Sequence, residues 1–207
     1  MVFTFPLRSV FLALPLEGRP KWQFQALQEE LKPYEDILRF QNPQSPHLTL
    51  MFWPSVGELE YLGIVAQAMK IAAAATAFTL KVTGAETFGS HPSTEARPRL
   101  EGSGSSAGAR PRVLDGEDSV LFLAVAFSDE LARVKKSCPW SDGRVFNPHV
   151  TLARIGHPQR FNVVKKKVMK TLDGVSFAIP IDRLRLYAEV NGAKQTELED
   201  FACGTPS

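Results

Sequence analysis

The stretch "SPHLTLMF" (45–52) decides how this chain is read, because it returns in the second half as "NPHVTLAR" (147–154). Both contain Pro-His-x-Thr-Leu, at Pro46 to Leu50 and at Pro148 to Leu152, and they hold two of the chain's four histidines. Their β-branched and apolar residues predict strands, in which residues i and i+2 share a face. His47 and Thr49 then point one way with Leu48 and Leu50 behind them. His149 and Thr151 do the same in front of Val150 and Leu152. Each segment offers an imidazole beside a hydroxyl on an apolar backing.

Outward from these strands the two halves share a rhythm. A strand over Ser9 to Leu14 precedes "RPKWQFQALQEELKPY", where Phe24, Leu27 and Leu31 have helical spacing and Pro33 ends the pattern. A short strand near "DILRF" leads to the His47 strand. Ser55 and Glu58 have capping-box spacing and open a helix whose apolar face is predicted at Leu59, Leu62, Ala66 and Met69. "FTLKVTGAETFG" closes the half as a strand. After it, residues 91–118 are rich in Pro, Gly, Ser, Arg and Glu, and this composition predicts a flexible insertion within one domain spanning 1–207. The second half then reads strand at "SVLFLAVAF", helix at "SDELARVKKSC" capped by Ser128, the His149 strand, helix at "PQRFNVVKKKVMKTL" with Phe161, Val164 and Val168 on one face, and one long strand at "VSFAIPIDRLRLYAEV". If the halves pack about a pseudo-two-fold axis, the two histidine–threonine pairs face each other across one cleft.

Composition narrows the class. With 207 residues, 44% hydrophobic and 22% charged, the chain can bury a sizeable core as a soluble globular protein. A net charge of +2 is far from the basic footprint of a duplex-DNA binder. Cys138 and Cys203 have no metal-ligand spacing, so a reduced cytoplasmic protein without a metal or cofactor is expected. The apolar N-terminus is cut by Pro6 and Arg8 and reads as a first core strand rather than a leader. No run approaches the roughly 18 apolar residues that span a bilayer, so no membrane partner is expected.

Two facing histidines suit a reaction in which one proton is removed and another supplied, since the free imidazole titrates near neutrality and either ring can take either part. Two threonine hydroxyls are neutral donors for an anion between them, and phosphate transfer depends mainly on positioning and electrostatics. A cyclic phosphodiester on a ribose fits this equipment.

The paired motifs resemble those of the 2H phosphoesterase superfamily, in particular its RNA 2′,3′-cyclic phosphodiesterases, also called 2′-5′ RNA ligases. "RSVFLALPL", "GAETFG" and "LFLAVAFSDELARV" are similar to its members too. The resemblance implies an α+β, bilobal, pseudo-two-fold fold with two antiparallel sheets lining a central cleft and helices outside. It implies metal-independent opening of a 2′,3′-cyclic phosphate to the 2′-phosphate, with reversible 2′-5′ ligation in some members, by a monomer acting on RNA ends or small nucleotides. Carried over by position, His47 becomes the acid toward the leaving oxygen and His149 the base for water, with the reverse left open. Thr49 and Thr151 become the phosphate donors, and Arg154 a further phosphate contact. Arg154 can serve only if the strand bends there, because strict alternation puts it opposite His149. Met51, on the His47 face by the same parity, stands where relatives often carry a basic residue. Phe52, Trp53, Phe146 and Tyr187 are candidate stacking platforms for a base, although parity turns Phe52 and Phe146 toward the apolar back or its border. A nucleotide-binding module without catalysis is the alternative, and the intact histidine pair argues against it.

Overall fold

The structure is a computed structural model that describes residues 3–89, 118–140, 143 and 145–204. The expected insertion lies outside the described residues except for Asp118, which opens a strand. The strands are β1 (Leu7–Pro15), β2 (Leu38–Phe40), β3 (His47–Val56), β4 (Phe78–Gly89), β5 (Asp118–Val125), β6 (His149–Ile155), β7 (Phe177–Ile181), β8 (Arg183–Val190) and β9 (Ala193–Ala202). The helices are α1 (Arg19–Glu30), α2 (Glu58–Ala74), α3 (Asp129–Ser137) and α4 (Pro158–Thr171).

The α+β class and the antiparallel pairing are as expected. The two separate sheets are not. The strands form one sheet in the order β7-β4-β5-β6-β3-β1-β8-β9, with β2 added to β6. The histidine strands β3 and β6 meet at a single residue pair, Leu48 and Val150, and both residues are fully buried. That pair joins what would otherwise be two sheets. The halves also exchange their later strands: β4 of the first pairs with β5 of the second, and β8 of the second pairs with β1 of the first.

Three local expectations are corrected. The helix α2 is capped by Gly57 without a side-chain cap, because Ser55 still belongs to β3. Its buried face is Ile64, Ala68, Ile71 and Ala72, while Leu59, Leu62 and Met69 are exposed. The helix is apolar nearly all round, so spacing alone could not choose between its faces. The long strand predicted after residue 175 breaks at Asp182 into β7 and β8, which lie on opposite flanks of the sheet. A further strand that the sequence reading did not anticipate, β9, is launched by a tight turn at Asn191 and Gly192, with φ of 51° and 80°. Other expectations hold: Ser128 Oγ accepts from Leu131 N at 3.2 Å to cap α3, and α4 buries Phe161 and Val168. Among the described residues no helix is long and apolar enough to cross a membrane.

Candidate active site

The two motif strands have the same profile of burial over seven residues. His47 and Thr49 are half-buried, Leu48, Leu50 and Met51 are buried, Phe52 is exposed and Trp53 buried; His149, Val150, Thr151, Leu152, Ala153, Arg154 and Ile155 follow the same order. Alternation fails after the motif leucine in both. Leu12 pairs with Met51 and Ala13 with Thr49, so Leu50 is an extra residue in β3. Leu121 pairs with Ala153 and Phe122 with Thr151, so Leu152 is an extra residue in β6. Such a bulge re-aims every side chain beyond it. It sends Met51 into the core and brings Phe52 to the cleft, reversing the parity reading of both, and it supplies the bend that Arg154 requires.

His47, Thr49, Phe52, His149, Thr151 and Arg154 all line one cleft of about 520 Å³. All five residues that the sequence singled out are thus brought together. Both imidazoles are held alike. His47 Nδ1–H donates to Ser45 O at 2.7 Å and His149 Nδ1–H to Asn147 O at 2.8 Å, each two residues back in its own strand entry. With Nδ1 occupied as a donor, Nε2 of each neutral ring is left as a base. Among the described residues neither motif threonine hydroxyl hydrogen-bonds within the protein.

The surroundings of the two rings differ. His47 stacks on Phe11 with ring centroids 4.5 Å apart and planes 27° apart, and Tyr187 lies 5.3 Å away behind it. Phe11 and Tyr187 also stack on each other at 4.8 Å. Burial pushes the His47 pKa down to about 4, against the upward pull of the Ser45 carbonyl, and the proximity of His149 adds to the fall. His149 instead meets Phe88 and Phe122 edge to face, at 5.1 and 5.3 Å.

Of the proposed base platforms, only Phe52 lies in the cleft. Tyr187 is fully buried beneath His47; Trp53 is buried edge-on to Trp140; Phe146 packs against Phe127 and under Lys135. Sequence reasoning missed other lining residues, among them Arg39, Gln41, Lys194 and Gln195. Arg39 pairs directly across from Arg154 on β2 and β6. Gln195, with a left-handed φ of 58°, accepts from Ser45 Oγ at 2.9 Å and donates to Gln41 Oε1 at 3.0 Å. The Asn-Gly turn at 191–192 was the signal that would have revealed the β8–β9 hairpin carrying Lys194 and Gln195.

Comparison with known proteins bears on this site. The family model described as LigT like Phosphoesterase matches residues 14–98. No curated protein sequence matches the chain. Among solved structures, the Thermus thermophilus protein TT0787 superposes with a TM-score of 0.65 at 18% identity, over 96% of this chain and 100% of that one. The apo form of E. coli LigT gives a TM-score of 0.63 at 18% identity, over 98% and 100% of the two chains. That E. coli protein has also been crystallised with ATP, with NADP+, with 3′-AMP and with phosphate.

Proposed function

We infer that this chain is a LigT-like phosphoesterase, from the family match and the shared fold, and on that premise we propose that it opens 2′,3′-cyclic phosphates. The substrate is an RNA end or a small nucleotide and the product a 2′-phosphomonoester; with an RNA 5′-hydroxyl in place of water as the nucleophile, the same displacement of the 3′ oxygen joins RNA ends through a 2′-5′ bond, and cleavage of that bond is its reverse. The observation that carries the reading is the pair of imidazoles in one cleft, each with Nδ1 tied to a backbone carbonyl and each beside a threonine hydroxyl. The nucleotides and phosphate found on E. coli LigT are of the same chemical class.

The asymmetry of the two rings supports an order of events that reverses the assignment implied by the resemblance. Burial holds His47 in the unprotonated form in which a base must start, at some cost in base strength, so His47 is assigned as the base and His149 as the acid. His47 Nε2 takes a proton from water as the water oxygen bonds to phosphorus. The bond from phosphorus to the ribose 3′ oxygen breaks, and His149 gives that oxygen its proton. Thr49, Thr151 and Arg154 donate to the non-bridging oxygens, whose charge grows in the transition state. The protein acts as a monomer in the cytoplasm, and no metal takes part.

Turnover of nucleoside 2′,3′-cyclic monophosphates should persist in a chelator and should fall by at least about 10²-fold in His47→Ala and in His149→Ala, the scale of one lost acid or base. NMR of the product should show the 2′-phosphate. Undiminished turnover in either variant would remove the two-histidine mechanism, and nucleotide affinity without product would make the chain a binding module.

A further inference from the structure

The bulges that aim Phe52 and Arg154 need an explanation of their own. An extra residue in a strand loses its place in the ladder, and its carbonyl must find another donor if it is buried. Leu50 and Leu152 are both buried. Leu50 O accepts from Lys135 Nζ at 2.7 Å, and Leu152 O accepts from Gln28 Nε2 at 3.0 Å. The donors come from corresponding helices of the two halves, and crosswise. Lys135 on α3 of the second half holds the bulge of the first motif; Gln28 on α1 of the first half holds the bulge of the second.

Both donors are committed. The Gln28 side chain is buried, and its amide also donates to Gln41 O at 3.0 Å, so it ties the end of β2 to β6 at the bulge. Gln41 N donates to the same Leu152 O at 3.0 Å. Lys135 sits 5.0 Å over the Phe146 ring and pairs with no carboxylate among the described residues.

We propose that Gln28 and Lys135 are positioning residues for the reaction, each bracing one motif bulge so that the fifth residue after the histidine, Arg154 in one motif and Phe52 in the other, is turned into the cleft. Without its brace Leu50 O loses its Lys135 donor and Leu152 O keeps only Gln41 N, and a ladder in even register would return Arg154 or Phe52 to the apolar side. The inference rests on the proposed chemistry only for its kinetic readout. Its geometric content is that Gln28 acts through Arg154 and Lys135 through Phe52.

Two double-mutant cycles test it on the full chain, Gln28→Leu with Arg154→Ala and Lys135→Met with Phe52→Ala. Each is read as kcat/KM on adenosine 2′,3′-cyclic phosphate and as Kd for adenosine 2′-monophosphate by calorimetry. Each brace variant alone should weaken both by about tenfold, with the kinetic loss in KM, and should have no further effect once its partner in the cleft is alanine. Lys135→Arg should restore the second cycle. An undiminished loss from Gln28→Leu or Lys135→Met in the partner-deleted background would mark a merely structural role and overturn the proposal. Lys135 is only part-buried, so its cycle stands even if Gln28→Leu does not fold. A wild-type chain that binds the monophosphate without turnover would sink the hydrolytic reading alone, and the binding cycles would still decide this one. Absence of both binding and turnover would remove both.

Discussion

His47 is where pH should act first. Its folded-state pKa of about 4 lies below the 6.5 of a free imidazole, so folding favours the neutral ring. The stability this contributes is complete above about pH 6.5 and is lost as pH falls toward 4, because the unfolded chain binds the proton more readily in that window. In the proposed reaction the same shift keeps His47 unprotonated as the base, so the acid limb of kcat/KM should fall well below pH 6.5. The cause is burial against Phe11 and Tyr187. Tyr187→Leu should therefore raise the His47 titration toward 6.5, as followed by NMR of the imidazole C2 proton, whereas Tyr187→Phe should leave it in place. An unmoved titration in the leucine variant would assign the shift to some other neighbour.

At the scale of elements, the strands are positioned by irregularities rather than by regular pairing. Two bulges re-aim the cleft residues, and the hairpin β8–β9 brings Gln195 onto Ser45, whose carbonyl orients His47. The far end of β9 is seated by a close approach. Gly204 N donates to Ala75 O at 2.8 Å and to Ala72 O at 3.1 Å at the end of α2, and a Cβ there would lie 2.6 Å from Ala73 O. Gly204→Ala must push the backbone away and should cost about 1–3 kcal/mol. Thermal unfolding should register this as a fall of a few degrees or more, since each kcal/mol is worth roughly 2–4 °C in a domain of this size. An unchanged midpoint would mean that β9 is not anchored on α2.

At the scale of the molecule, the halves are joined at the motifs themselves. The Leu48–Val150 pair lies behind the two histidines, so packing and chemistry share one seam. Leu48→Ala should cost about 2–5 kcal/mol, the range for emptying a buried leucine site. It should also reduce turnover in protein that remains folded, because the seam spaces the imidazoles; full activity per folded molecule would separate seam from site. A second whole-molecule tie is Arg185, buried between Glu17, Glu197 and Asp200, with 2.7 Å to Glu17 Oε1 and 2.8 Å to Glu197 Oε1. It holds the Asp200 carboxyl below the usual carboxylate range. That contribution is present above about pH 4 and fails only as pH falls through the depressed value, so acid should weaken the fold first through His47 and then through Asp200.

By itself the sequence determined the residues that meet in the candidate site and the rhythm of elements, because strand alternation and helical spacing are local and the duplicated Pro-His-x-Thr-Leu marks itself out by its repetition. His47, Thr49, His149 and Thr151 were legible for that reason. Only the tertiary structure decided what depends on pairing partners. Register places the bulges at Leu50 and Leu152, and with them Met51 in the core and Phe52 and Arg154 in the cleft, which no count along one strand can reveal. Which face of the apolar helix α2 is buried, that two sheets fuse into one through Leu48 and Val150, and that Gln28 and Lys135 cross between halves to donate to Leu152 O and Leu50 O are settled by contacts between segments far apart in the chain. The buried carbonyls at those crossings could be satisfied only once the whole chain had closed around them.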